Sequence, residues 1–403
     1  MNKTSRPKPA GTGRTGVPGV PPGVSATATA TPAIQISISN ATSVQPLLDQ
    51  GIGTRRDAVR NRRDGCARPV MPDIPWAPAF RAALLSWFRA EGRDYLWRQT
   101  DDPYAILVSE MMLQQTQIAT VLGRGYYQRW MAVFPDVKTL AAASEPDILR
   151  VWEGLGYYSR ARNLQKAAQT VVAGHGGKFP RSVPELLSLP GIGRYTAGAV
   201  ASFAWNLPAP LVDGNVARVF SRLFACDDPI DKPAVQKLLW AWAEALLSCT
   251  EPRLYNSALM ELGQRICTPR APACLLCPVQ SLCASAGPAA ACRPKKSPAR
   301  ATVAVIEHAL FARRDNTILL HQESGKRRQG LWKLPERSAA EAAALPEVLT
   351  ATYAITHHRV TLHIHTAPNA IAATGETWHA LATVSSLPMP GPYRKALNRL
   401  LQL

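Results

Sequence analysis

The sequence contains no apolar run of eighteen residues, so an ordinary membrane-spanning helix is not expected. It is also short of acid. Against 46 Lys and Arg stand only 28 Asp and Glu in 403 residues, a net charge of +18 that suits a polyanionic partner such as nucleic acid. Residues 1–70 lack the apolar periodicity that offsets the entropy of ordering a chain; they are Gly, Pro, Ala, Ser and Thr with scattered Arg. A disordered tail over 1–73 follows from this, with Met71 as the expected functional start and the upstream stretch an overlong reading frame. The tail's few acids resemble a transit peptide only faintly and show no sustained amphipathic pattern, so a cytoplasmic, nucleoid-associated location is expected ahead of mitochondrial import. A disulfide framework is not indicated either: of eight cysteines, four crowd into residues 267–283, which argues for a metal site in a reducing compartment.

What is present is organised around Ser182 to Arg218. Ser182 and Glu185 have the form of a capping box, predicting a short helix that ends at Leu189 before Pro190. Gly191 and Gly193 then allow a tight left-handed turn and leave bare amides where the next helix starts near Arg194, a arrangement that binds phosphate; such glycines also simply end helices. Further on, Asp213-Gly214-Asn215 sets a carboxylate at the entrance of another apolar-periodic helix.

Upstream, Phe80, Leu84, Leu85 and Phe88 show helical spacing, and Asp101/Asp102 before Pro103 open a helix read as continuous to Leu122. Its one carboxylate, Glu110, sits in apolar company, although a helical Glu ordinarily faces solvent. The Gly-interrupted run from Trp152 through Tyr157 and Tyr158 to Asn163 leads into a basic helix; its aromatics are either core or a stacking device for DNA. Cys267, Cys274, Cys277 and Cys283, spaced C-x6-C-x2-C-x5-C, offer four thiolates for zinc or an iron–sulfur cluster, with Arg270 in the first interval. Cys66, Cys226, Cys249 and Cys292 are single and expected to be inert. Residues 288–302 are basic and Pro-containing, a linker, beyond which the period turns to two and strands are expected at Thr302–Leu310, Thr317–His321 and Val360–His365. His363-x-His365 would share a strand face, a weak metal signal unless other ligands converge.

Leu189-Pro190-Gly191-Ile192-Gly193 with the downstream Asp213 resembles the helix-hairpin-helix DNA glycosylase superfamily, and the run Ser109-Glu110-Met111-Met112-Leu113-Gln114-Gln115-Thr116-Gln117 resembles the signature of its MutY-type adenine DNA glycosylases. The cysteine spacing is similar to the iron–sulfur loop of endonuclease III and MutY enzymes. Gly330-Leu331-Trp332-Lys333-Leu334-Pro335 resembles the lead-in of a Nudix-like, MutT-type fold, but the acid cluster that binds magnesium in that fold is missing after Glu336. The resemblance, running from residue 74 nearly to the C-terminus, implies a multidomain chain. An all-α helix-hairpin-helix glycosylase region with a 4Fe–4S cluster loop would span 74–287, the linker 288–302, and an α+β Nudix-like lesion-recognition domain 303–403.

The implied activity is excision of adenine mispaired with 8-oxoguanine or guanine, by a monomer bound to double-stranded DNA. Glu110 would protonate adenine, Asp213 would face the sugar cation with Asn215 holding the site, and Tyr195 would stand where endonuclease III-like lyases carry a Schiff-base Lys. Gln115 and Tyr157 would enter the gap left by the flipped base; Gly191, Gly193 and Arg270 would hold phosphate; Trp97, Arg98 and Leu113 would line the adenine pocket. Ser257 stands where relatives often carry Gln or Glu. Thr356 and His357, with Ile355 in the place of a Phe, match a family loop that reads the oxidised guanine, and are otherwise an ordinary hairpin turn. Cys267, Cys274, Cys277 and Cys283 would ligate the cluster. Two other readings stay open: an endonuclease III-like glycosylase/lyase for oxidised pyrimidines, and a non-catalytic iron–sulfur DNA-binding protein.

Overall fold

Apolar side chains recur at helical spacing from Phe80 onward, and the chain answers with helices. The computed structural model describes residues 73–298, 300–325 and 328–402, so the expectations for the N-terminal stretch, for Met71 and for Cys66 fall outside the described residues. The helix Ala77–Glu91 buries Phe80, Leu84, Leu85 and Phe88. After a short turn at Leu96–Arg98 come helices Pro103–Leu113, Ile118–Gly123, Tyr126–Val133, Val137–Ala142, Glu145–Val151, Ser159–His175, Val183–Ser188, Arg194–Trp205, Gly214–Leu223, Pro233–Leu246 and Pro252–Glu261. They enclose an apolar core that includes Trp130, Trp152, Phe220 and Tyr255. Among the described residues no helix is long and apolar enough to cross a membrane.

The stretch from Pro103, read from sequence as one helix, folds as two. Asp102 caps its start by accepting from the amides of Tyr104 and Ala105, as its position predicts. The helix then stops at Leu113: Gln114 leaves helical geometry with ψ 115°, and Gln115 takes a left-handed φ of +57°. Tyr157 does the same at +47°. Each such residue costs about 1 kcal/mol, so both turns need something to hold them. Arg160 holds them. Its side chain is buried, and its guanidinium donates to the carbonyls of Met111 (2.8 Å), Met112 (3.0 Å) and Gln114 (2.5 Å) in the first turn. The same guanidinium donates to Leu155 (3.1 Å) and Gly156 (3.1 Å) in the second.

From Val303 the elements become strands: β1 (Val303–Phe311), β2 (Arg313–Arg314), β3 (Thr317–Gln322), β4 (Trp332–Lys333), β5 (Glu336–Arg337), β6 (Glu347–Ile355), β7 (His358–Thr366) and β8 (Glu376–Ala380). One sheet has the order β5-β1-β7-β6, with β1 and β7 parallel; in the other, β3 pairs with β2, β4 and β8. Leu320, Leu362 and Ile364 pack there against Tyr393 and Leu397 of the helix Gly391–Leu401, giving a second core. The missing acid cluster after Glu336 is replaced by a short helix, Ala339–Ala343, whose Glu341 is used as one half of a capping box with Ser338.

The stretch read as a linker is hydrogen-bonded to the helical region as far as Ser297: the amide of Ile230 donates to the carbonyl of Lys295 (3.0 Å), and that of Ser297 to Asp231 (2.9 Å). The C-terminal region also touches the first set of helices directly, through the Met389 loop and the helix Gly391–Leu401. Tyr158 Oη donates to the carbonyl of Met389 (3.0 Å), and the Glu153 carboxylate accepts from the Met389 amide (3.2 Å) and Arg394 Nε (2.9 Å).

Arg160→Met keeps the apolar volume of the side chain and deletes its donors, leaving carbonyls of two turns without partners. We expect urea denaturation to report a loss of about 3 kcal/mol or more, since each buried unsatisfied carbonyl costs about 1–3 kcal/mol. A loss below about 1 kcal/mol, the scale of an ordinary single hydrogen bond, would mean that the clasp contributes little.

Candidate active site

Glu110 lies on the helix Pro103–Leu113, which is buried on nearly every face from Tyr104 to Met112 and so keeps the carboxyl dry. Tyr195, in the first turn of Arg194–Trp205, donates its hydroxyl to Glu110 Oε2 at 2.6 Å. Burial pushes the Glu110 carboxyl up to about 7; the Tyr195 hydrogen bond opposes this, the charge of Asp213 adds to it, and Arg98 opposes it. Burial, together with the neighbouring Glu110, also holds the Tyr195 phenol well above its ordinary value.

Asp213 is the N-cap of Gly214–Leu223. Its Oδ1 accepts from the Val216 amide at 2.7 Å, and its Oδ2 from Asn215 Nδ2 at 2.8 Å. The helix start was expected to favour the ionised form. The amide hydrogen bonds do act in that direction, but burial outweighs them and raises the carboxyl above its usual range. The approach of this segment depends on Gly198, where a Cβ would fall 2.3 Å from the carbonyl oxygen of Pro210, three residues before Asp213.

The hairpin differs from expectation in one glycine. Ser182 caps Val183–Ser188 by accepting from the Glu185 amide, and Gly191 takes a left-handed φ of +74° with its α-carbon against Asn163. Gly193 does not share that turn: its φ is −93°, and it serves as the N-cap of Arg194–Trp205. Among the described residues nothing lies within 4 Å of where its Cβ would be, so this helix start is open on that side.

Trp97, Arg98 and Leu113 line one pocket together with Glu110, Tyr95, Ile118, Phe203, Arg253, Ser257, Met260 and Gln264. Arg98 is fixed by Glu261, a fully buried carboxylate that accepts from Arg98 Nη1 (2.5 Å), Arg265 Nη1 (3.0 Å) and the Arg93 amide (3.0 Å). The sequence reading missed Glu261 and Gln264. Their only signal is their spacing from Ser257, on what continues as its helix face.

Elsewhere, Gln115 is exposed, and of the aromatics in the run from Trp152 only Tyr157 is, at 48%; Trp152 and Tyr158 are core. Arg270 is exposed. Cys267, Cys274, Cys277 and Cys283 are all free thiols. Burial pushes Cys277 up to about 11, with the charges of the other three adding to it, so the four face a common region. Arg222 Nη1 donates to Cys267 Sγ at 3.2 Å. Thr356 and His357 form the two-residue turn between β6 and β7, across which Ile355 pairs with His358; Thr356 has φ +54° and donates to the Ile355 carbonyl at 2.7 Å. These two and the four cysteines do not line the pocket. His363 sits against Glu347 (2.9 Å) and His365 against His308 (3.1 Å), and among the described residues no group of three or more His, Cys, Asp or Glu forms a ready site for a single metal ion.

Residues 108–245 match the family described as HhH-GPD superfamily base excision DNA repair protein. The chain is similar to the adenine DNA glycosylase of Homo sapiens, 46% identical over 220 residues that make up 52% of this chain and 40% of the human protein. It is also similar to that of Buchnera aphidicola subsp. Baizongia pistaciae, 40% identical over 207 residues, 51% of this chain and 58% of the relative. The chain thus spans about half the length of these curated relatives. A solved thermostable thymine-DNA glycosylase is 30% identical and covered over 95% of its length by 52% of this chain, with a TM-score of 0.47.

The folded protein holds the Glu110 proton more tightly than the unfolded chain does, about 7 against an ordinary 4.5. The resulting stabilisation is complete below pH 4.5 and is lost as pH rises through 7. Relative to Glu110→Gln, which does not titrate, the natural chain should therefore lose a few kcal/mol across that window in denaturation curves taken at successive pH values. Parallel curves would show that the carboxyl is not held dry.

Proposed function

On the premise that this chain belongs, through residues 108–245, to the HhH-GPD superfamily of base excision DNA repair proteins, we propose that it is a monofunctional adenine DNA glycosylase. It acts as a monomer on double-stranded DNA in which adenine is mispaired with 8-oxoguanine or guanine. The observation that carries this reading is a buried carboxyl, Glu110, in the wall of a pocket, held by Tyr195 and near enough to the helix-capping Asp213 to feel its charge. Of the two, Asp213 is the better supplied with donors, from Val216 and Asn215, so Glu110 is the better placed to carry a proton.

A stacked adenine is beyond reach of these groups, so its nucleotide is turned out of the duplex, at a cost of a few kcal/mol that a mispair lowers. Tyr157 and Gln115 enter the gap from the two clasped turns, while the Gly191–Gly193 turn and Arg270 grip phosphate. In the pocket, against Trp97, Arg98 and Leu113, Glu110 gives its proton to N7. The C1′–N9 bond then breaks with its electron pair going to the protonated base. Asp213, held by Asn215, faces the sugar cation; water adds at C1′ and its proton passes to a carboxylate. Tyr195 brings no amine, and its hydroxyl is committed to Glu110, which supports a reaction that leaves the strand intact.

Burial, with the neighbouring thiols adding to it, raises the ionisation cost of Cys277 and Cys283, which favours a bound cation, and Cys267, Cys274, Cys277 and Cys283 have the donor chemistry and spacing for a 4Fe–4S cluster. Such a cluster would brace the loop that presents Arg270. The Thr356–His357 turn reads the oxidised guanine on the opposite strand, from a region distinct from the pocket. The net charge of +18 supports a place on the nucleoid.

Glu110→Gln and Asp213→Asn should each bind a mispaired duplex like the natural chain in a gel-shift assay and release adenine at least about 100-fold more slowly in single turnover. Near-normal release by either variant would remove that acid from its role. Replacing Thr356 and His357 together with Ala should slow excision opposite 8-oxoguanine far more than opposite guanine. Equal losses on the two duplexes would take lesion reading away from this turn.

A further inference from the structure

Arg253, Ser257, Met260 and Gln264 follow one another at helical intervals, and all four line the Glu110 pocket. At the end of this stripe the α-helix gives way to a π turn, Leu262–Ile266, a local widening that re-aims side chains and is frequent at functional sites. Two neighbours fix where Gln264 lies. Met260 Sδ is 3.9 Å from the Tyr195 hydroxyl that holds Glu110, and Gly263 approaches Asn215 so closely that a Cβ on it would lie 2.8 Å from Asn215 Cβ. Gln264 therefore lies next to Gly263, which abuts the partner of Asp213, and one turn after Met260, which adjoins the partner of Glu110.

The other polar side chains of the pocket are largely committed. Arg98 is bound to Glu261, Arg253 donates to the carbonyls of Arg98 (2.8 Å) and Thr100 (2.7 Å), and Ser109 donates to that of Ile106 (2.8 Å). Ser257 extends only one heavy atom beyond its Cβ. Gln264 alone in the pocket combines a long arm with an amide that both donates and accepts, and that amide has no hydrogen-bond partner among the described residues. We infer that Gln264 reads the exocyclic amine of the flipped base, its Oε1 accepting from the N6 hydrogen, and so supplies the polar contact that Ser257 is too short to make. The inference rests on the adenine reading above. An amide is well matched to adenine, whose amine and adjacent ring nitrogen present a donor beside an acceptor.

The test compares two duplexes, both with 8-oxoguanine in one strand: one with adenine opposite, the other with 6-H purine, which lacks the amine. Single-turnover base release is measured with the full chain, with Gln264→Met, which keeps the volume without hydrogen bonds, and with Gln264→Glu, which keeps the acceptor. Gln264→Met should slow release of adenine by roughly five- to tenfold, the scale of one hydrogen bond, and leave release of 6-H purine within about twofold. Gln264→Glu should retain most of the adenine rate. Equal slowing on both bases, or none on either, overturns the inference while the activity stands. If the unsubstituted chain releases no adenine, the adenine reading falls and takes this inference with it.

Discussion

A carboxyl group removed from water must either find a donor or hold its proton more tightly, and Glu110 finds a donor in Tyr195 while burial strengthens its hold on the proton. Much of the helical region follows from that requirement. The helix Pro103–Leu113 has to be enclosed on every side, so it carries Tyr104, Ile106, Leu107, Val108, Met111 and Met112 into the core with no solvated face. Tyr195 has to arrive from another helix, and Arg194–Trp205 can dock closely because it presents Ala197, Gly198, Ala199 and Ala201 to its neighbours. Gly198 matters twice, since the same close approach leads the chain past Pro210 to Asp213. One dry acid thus dictates the small residues of a second helix and, through them, the position of the second acid.

A different constraint shapes the two turns at Gln115 and Tyr157. Gln115 and Tyr157 stand in backbone conformations that L side chains avoid, and they remain there because one buried guanidinium satisfies carbonyls from both turns. Arg160 cannot be replaced by two independent caps without uncoupling the turns. The two strained turns are thereby held in a fixed relation to each other.

The elements that local pattern controls were legible in the sequence: the helices with regular apolar spacing, the Asp102 and Asp213 caps, and the strands β1, β3 and β7. The two acids were legible through motif. What escaped was set by tertiary approach. The break after Leu113 is invisible because Leu-Gln-Gln-Thr has no helix breaker; it exists because a residue from forty-odd positions downstream, Arg160, takes up the freed carbonyls. Gly191 and Gly193 look alike in the sequence, yet one is pinned by Asn163 and the other faces open space. Glu261 reads as a surface residue near a helix end and is in fact fully buried among cations. At Asp213 the cap favours ionisation as its position predicts, while burial, which no local pattern reveals, works against it.

The turn from Glu153 to Tyr158 carries Tyr157 outward, while its two flanking residues anchor the strand region: Glu153 to Met389 and Arg394, Tyr158 to the Met389 carbonyl. In mechanical terms it is a shared pivot. The exposed Tyr157 ring is thus rooted between two contacts with the second region, whereas Glu110 and Asp213 are held by side chains of the helical region alone.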